Sequence, residues 1–209
     1  AYWRGDDTIR CVMTAHATGR RFCAGGDIRL LAESGAGDGS AARAFFHTEY
    51  RMNHRLFTYA KDSVAFMDGI TMGGGVGISQ PARYRVATEN TRFAMPESGI
   101  GLFPDVGALY LLARAPFELG THVALTGDRF SGADAVALGL ADAVAPAEFL
   151  DPEAVVDRLA GGESADDLVA AAREAGGEPE APLLSQTAWT AECYEGEAAG
   201  AILERLRGH

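Results

Sequence analysis

Met72-Gly73-Gly74-Gly75-Val76-Gly77 follows the apolar stretch Ser63-Val64-Ala65-Phe66-Met67 and opens a run of small residues that ends at Ser79. Phe22-Cys23-Ala24-Gly25-Gly26-Asp27 stands in the same relation to an apolar stretch over residues 8–16 and to a helical segment over 28–32. Each run reads as a glycine turn after a strand and before a helix. Such a turn leaves main-chain N–H groups free to point at a ligand oxygen. Two of them in one domain supply two donors to a single developing oxyanion, which suits acyl chemistry. For either run taken alone, tight packing of strand on helix is the competing explanation. A dinucleotide fingerprint fails on spacing, because Gly73-x-Gly75 requires a third glycine where the chain has Ile78. No Gly-Lys-Ser/Thr follows any glycine run, which excludes a nucleoside triphosphate P-loop.

Outward from these turns, the pattern predicts a buried strand over 8–16, broken by Ala17-Thr18-Gly19. A helix over 28–32 carries Asp27 at its positive end. Residues 33–40, rich in Gly, Ser and Asp, read as a mobile loop. Phe45, Phe46, Tyr50, Met52, Leu56 and Phe57 recur at helical spacing and predict an amphipathic helix over 41–60. Strands follow over 63–67, 84–88 and 91–95, with a glycine turn and a helix of small residues over 71–79. Helices over 106–115, 118–126 and 132–140, the last opened by Ser131, lead to a strand over 141–145. The alternation places the chain in the α/β class. Residues 147–209 differ, with helical periods over 155–159, 165–175 and 195–206. We expect a core over 1–146 and a helical C-terminal region over 147–209.

The chain has 209 residues, enough for one sizeable core or a core with a small appendage. Its 29 acidic against 18 basic residues give a net charge of -11, which excludes nucleic-acid binding through a general basic field. Arg4, Arg10, Arg20, Arg21 and Arg29 crowd the first glycine turn, either as a patch for a phosphorylated ligand or as a solvated face. Cys11, Cys23 and Cys193 form no CxxC pair, which argues against a disulfide framework or structural zinc and for a reducing cytoplasm. Cys23 reads as a small apolar filler. The five histidines, His16, His47, His54, His122 and His209, show no metal spacing. No apolar run reaches the ~18–20 residues of a membrane span, and no Gly-x-Ser-x-Gly elbow marks a serine esterase.

Two acids stand eight residues apart in the apolar, glycine-containing stretch Phe93-Ala94-Met95-Pro96-Glu97-Ser98-Gly99-Ile100-Gly101-Leu102-Phe103-Pro104-Asp105. Burial among such residues raises a carboxyl pKa and suits it to proton transfer near neutral pH. Glu97, after a strand end and a proline, reads as functional. Asp105 reads equally as a helix N-cap. Glu49, between apolar positions of the long helix, reads by default as a solvated acid.

Phe22-Cys23-Ala24-Gly25-Gly26-Asp27-Ile28, Asp68-Gly69-Ile70-Thr71-Met72-Gly73-Gly74-Gly75, Met95-Pro96-Glu97 and Ala124-Leu125-Thr126-Gly127 together resemble the crotonase (enoyl-CoA hydratase/isomerase) superfamily over residues 8–146. The strings at 70–77 and 100–107 resemble its 3-hydroxyisobutyryl-CoA hydrolase branch. The resemblance implies a spiral of ββα units with a helical C-terminal region, in which the first family strands are absent and the tail is shortened. It implies an acyl-CoA substrate, no cofactor beyond the CoA of that substrate, and a homo-oligomer, trimer or hexamer. It implies that the N–H groups of Gly26 and Gly74 hold the thioester oxygen, that Glu97 and Asp105 are the catalytic acids, and that Glu49 contacts substrate together with Ala24 and Asp27. Where hydratases carry a second catalytic glutamate, this chain has Gly77. The departure favours hydrolysis at the carbonyl, with hydration or isomerisation of a double bond as the alternative.

Overall fold

The first six strands of this chain enter two sheets alternately, and that alternation positions everything else. The computed structural model describes residues 2–17, 21–196 and 198–208. β1 (Cys11–Thr14), β3 (Asp62–Met67), β5 (Tyr84–Ala87) and β8 (Ala143–Val144) form one sheet in that order, parallel throughout. β2 (Arg21–Cys23), β4 (Ile70–Met72), β6 (Arg92–Ala94) and β7 (Phe130–Ser131) form the second, parallel except between β6 and β7. Each of the first three pairs of strands gives one to each sheet before helical chain carries the path onward, and a helix over residues 132–137 separates β7 from β8. The result is the expected spiral of ββα units with a helical C-terminal region.

Sheet position explains the sequence of β3. Val64, Ala65, Phe66 and Met67 are all within 1% of full burial. A continuous apolar run is what a parallel strand covered on both faces requires. One core lies around Phe93, Met95, Leu119, Phe130 and Leu140. A second joins Val64, Phe66 and Val86 to Val155 of α7 (Pro152–Ala160) and to Leu168, Val169 and Ala172 of α8 (Ala165–Gly176). α7 and α8 thus cover a face of the first sheet. A Cβ built on Gly176 would lie 1.8 Å from the Val144 carbonyl oxygen, so α8 ends directly on β8.

Several expectations change. The loop expected over 33–40 is mostly helix: α1 (Ile28–Ala36) and α2 (Ser40–Phe57) are joined by residues 37–39 alone. Ser34 Oγ accepts from the Ala42 amide at 3.0 Å and Asp38 Oδ1 from the Ser40 amide at 2.9 Å. These short polar side chains cap helices here instead of loosening the chain. β4 is a separate strand that sequence pattern merges into the glycine turn before α3 (Gly74–Ser79). The helix expected over 106–115 contracts to α4 (Ala108–Leu112), because Val106 and Gly107 both take positive φ. α5 (Leu119–Thr126) follows as expected. α6 (Gly132–Ala137) opens on Ser131 through a reciprocal capping box with Asp134. α9 (Thr187–Tyr194) has no counterpart in the expected periods, and α10 (Ala199–Gly208) covers most of the last one. The break at Thr18-Gly19, together with Arg20 and His209, lies outside the described residues.

Candidate active site

The site begins at the ladder between β2 and β4, where Arg21 faces Ile70 and Cys23 faces Thr71. Neighbouring strands lie ~4.8 Å apart, so the turns leaving them run side by side. A Cβ on Gly25 (φ 99°) would sit 3.2 Å from Gly74 N and 3.3 Å from the Met72 carbonyl oxygen. One on Gly74 would sit 3.6 Å from Gly26 N. Only glycine permits both this approach and the left-handed backbone at residue 25. Gly74 is the first residue of α3, where an N–H has no acceptor inside its own helix. The main-chain nitrogens of Gly26 and Gly74 therefore come to one place.

Around them lies a cavity of about 160 Å³ whose wall includes Ala24, Gly26, Glu49, Gly74, Glu97 and Asp105. Glu97 enters on a short 3-10 turn, Pro96–Ile100, directly after β6. It is 7% exposed, and its Oε2 is buried with no hydrogen-bond partner. Burial, reinforced by the Asp105 and Glu49 carboxylates, pushes its pKa up to about 7. Glu49 comes from α2, with Oε1 2.7 Å from the place a Cβ on Gly74 would take. Burial and the nearby Asp105 raise its pKa as well. Asp105 Oδ2 accepts from the Tyr50 hydroxyl at 2.6 Å. Burial and this bond raise the pKa of Tyr50, keeping the phenol a donor. Three acids thus face one small space, and the least solvated of them is poised near neutrality.

Asp27 stands apart from the residues lining this cavity. Its carboxylate caps α1, accepting from the amides of Arg29 and Leu30 at 3.0 and 3.2 Å. The arginines do not gather at the site. Arg4 donates to the Thr58 carbonyl and Arg10 to that of Leu159. None of Arg4, Arg10, Arg21 and Arg29 lines the cavity. The three cysteines are free thiols, and Cys23 ends β2 instead of lying in the turn. His122 is buried, with Nδ1 2.9 Å from the Tyr194 hydroxyl, a core position.

Sequence reading missed Tyr50, Asn53 and Val106. Tyr50 fits the apolar stripe of α2, so its bond to Asp105 has no one-dimensional signal. Val106 takes φ 47°, rare for a β-branched residue. It packs where a side chain at position 77 would emerge: a Cβ on Gly77 would lie 2.8 Å from Val106 Cβ and 3.0 Å from Asn53 Nδ2.

The model of the family described as enoyl-CoA hydratase/isomerase matches residues 1–209. The chain belongs to this family. Among its relatives, the mitochondrial 3-hydroxyisobutyryl-CoA hydrolase of Xenopus tropicalis is 50% identical over 139 residues, covering 66% of this chain and 36% of that protein. A solved carnitinyl-CoA dehydratase from Mycobacterium thermoresistibile is 45% identical, with a TM-score of 0.91, and covers 100% of this chain and 60% of its own. An enoyl-CoA hydratase from Rhodobacter sphaeroides 2.4.1 is 37% identical, with a TM-score of 0.87, over 100% of this chain and 59% of its own. The chain therefore spans little more than a third of that curated relative and about three fifths of these solved family members. Among the described residues, no helix is long and apolar enough to cross a membrane.

Proposed function

We propose that this family member hydrolyses a short 3-hydroxyacyl-CoA thioester, 3-hydroxyisobutyryl-CoA above all, to the free acid and CoA. The observation that carries the proposal is the convergence of the Gly26 and Gly74 nitrogens with the Glu97 carboxyl on one cavity. The two amides hold the thioester oxygen as it gains charge. Glu97, near neutrality, takes a proton from water as the water adds to the carbonyl carbon, or attacks that carbon itself to form a mixed anhydride that water then hydrolyses to the free acid and the restored carboxylate. The C–S bond then breaks. A thiol pKa of ~8.5 makes the thiolate a good leaving group, so little acid help is needed at sulfur. Stabilising the oxyanion is the main task, and each donor is worth ~10²–10³ in rate. Asp105, held by Tyr50, and Glu49 bind the acyl group or place the water. Ala24 borders the thioester, while Asp27 acts on the substrate only through the turn it caps.

The identity to a curated hydrolase supports this reading over hydration, although solved relatives bear dehydratase and hydratase names. The crowding at Gly77 supports it too, since Val106 and Asn53 occupy the space that a second acid there needs. We propose further that the enzyme needs no cofactor beyond its substrate's CoA, binds no nucleic acid, assembles as a trimer or hexamer, and works in the reducing cytoplasm. Free-thiol release from a panel of CoA thioesters, beside loss of enoyl absorbance, tests the activity. Thiol release from hydroxyacyl-CoA without enoyl hydration is the expected result. Enoyl hydration without thiol release overturns the reading.

A further inference from the structure

Asn53 lies one turn after Glu49 on α2 and therefore on the same face. It is 5% exposed, yet neither Nδ2 nor Oδ1 has a hydrogen-bond partner. A buried polar group left unmet is destabilising by about 1–3 kcal/mol, so such an amide calls for an occupant. Its Nδ2 lies beside the open side of Gly77, 3.0 Å from the place a Cβ there would take, with the Val106 side chain meeting the same place. Asn53 borders a second cavity of about 400 Å³, whose wall also includes Tyr50, Asp105 and Val106, with both of its amide atoms buried behind that wall. Asp105 lines both this cavity and the one that holds Glu97.

We propose that Asn53 determines specificity by binding a hydroxyl group on the acyl chain, two carbons from the carbonyl. This rests on the thioester hydrolase reading above. A carboxamide donates through Nδ2 and accepts through Oδ1, and a hydroxyl does both. A methyl group meets neither atom. A carboxylate meets only Nδ2 and faces Glu49, Glu97 and Asp105, and an ammonium leaves Nδ2 unmet. The distance also fits. Gly77 lies one turn beyond Gly74 on α3, about 4.5 Å further along the helix axis. An acyl chain whose carbonyl sits at Gly74 N brings its β-substituent to that level. The other source of the same hydroxyl chemistry is a trapped water, which would make Asn53 indifferent to the acyl group.

Two CoA thioesters that differ only in the hydroxyl separate these cases: 3-hydroxyisobutyryl-CoA and isobutyryl-CoA. Thiol release gives kcat/KM for each. The wild type is expected to favour the hydroxylated substrate. In Asn53→Leu, the ratio of the two kcat/KM values should fall tenfold to a hundredfold, the worth of one hydrogen bond in a buried site. Asn53→Ser, smaller and still able to donate and accept, should retain part of the preference and serves where the leucine variant fails to fold. An unchanged ratio in the folded variants, with both substrates slowed alike, means a water or a purely structural amide and overturns the proposal. A wild type that releases thiol from both substrates without preference also overturns it. A wild type that releases thiol from neither overturns the hydrolase reading, and the proposal falls with it.

Discussion

Glu97→Gln should abolish thiol release and at the same time stabilise the fold at alkaline pH. The carboxyl titrates near 7 in the folded protein against 4.5 when free in water. Below pH 4.5 it is protonated in both states and contributes no pH dependence. Between 4.5 and 7 the unfolded chain releases the proton while the folded chain retains it, so stability falls as pH rises. Above 7 the loss levels off. At 1.36 kcal/mol per pH unit, the span from 4.5 to about 7 amounts to about 3 kcal/mol, an upper figure because the cavity opens to solvent. Glutamine cannot ionise, so the variant escapes this loss. Any fixed penalty from its buried amide shifts its stability equally at every pH. Urea unfolding of wild type and variant at intervals from pH 4 to 9 isolates the effect. The difference in unfolding free energy should move by about 2–3 kcal/mol in favour of the variant between pH 4.5 and 8. A difference that stays flat across that range would show that Glu97 is solvated and ordinary, and the argument for its role as base would fail with it.

The pH dependence of catalysis follows from the same group: kcat/KM for thiol release should rise along a limb centred near 7, as Glu97 must lose its proton to act. A limb centred near 4.5 would assign that step elsewhere. Gly74→Ala places a methyl 2.7 Å from Glu49 Oε1 and 3.6 Å from Gly26 N. Its kcat should drop by ~10²–10³, the usual loss for a spoiled oxyanion site, and near-normal turnover would exclude this amide from the chemistry. Gly75→Ala probes packing instead, since its Cβ would lie 2.2 Å from the Cys23 carbonyl oxygen. A loss of about 1–3 kcal/mol or more is expected in urea unfolding, and an unchanged midpoint would contradict the close approach of β2 to α3.

Sequence pattern revealed most where local chemistry coincides with the fold. The glycine runs marked both turns because the close approach of β2 to β4 admits no side chain. Glu97 was legible because a proline and a strand end set it inside an apolar stretch. Residues 33–40 misled because Ser34 and Asp38 favour a loop and a helix cap equally, and only their bonds to Ala42 and Ser40 decide. β4 was hidden because three residues are too few for alternation to show. Asn53 looked like any polar residue on a long helix. Its burial depends on the missing side chain at Gly77 and on the left-handed turn at Val106, neither of which is near it in the chain. Tyr50 was hidden in the same way, since its ring belongs to the stripe and its hydroxyl to Asp105.

The Gly26 and Gly74 amides are backbone atoms whose spacing follows from the pairing of β2 with β4. No side chain sets it. The side chains around their cavity come chiefly from α1, α2 and residues 96–105. On the proposed reaction, substitutions there would retune which thioester is accepted while the two amides stay where they are. A lineage built on this frame is free to diversify its substrates without rebuilding its machinery, provided the glycines at the seam are kept.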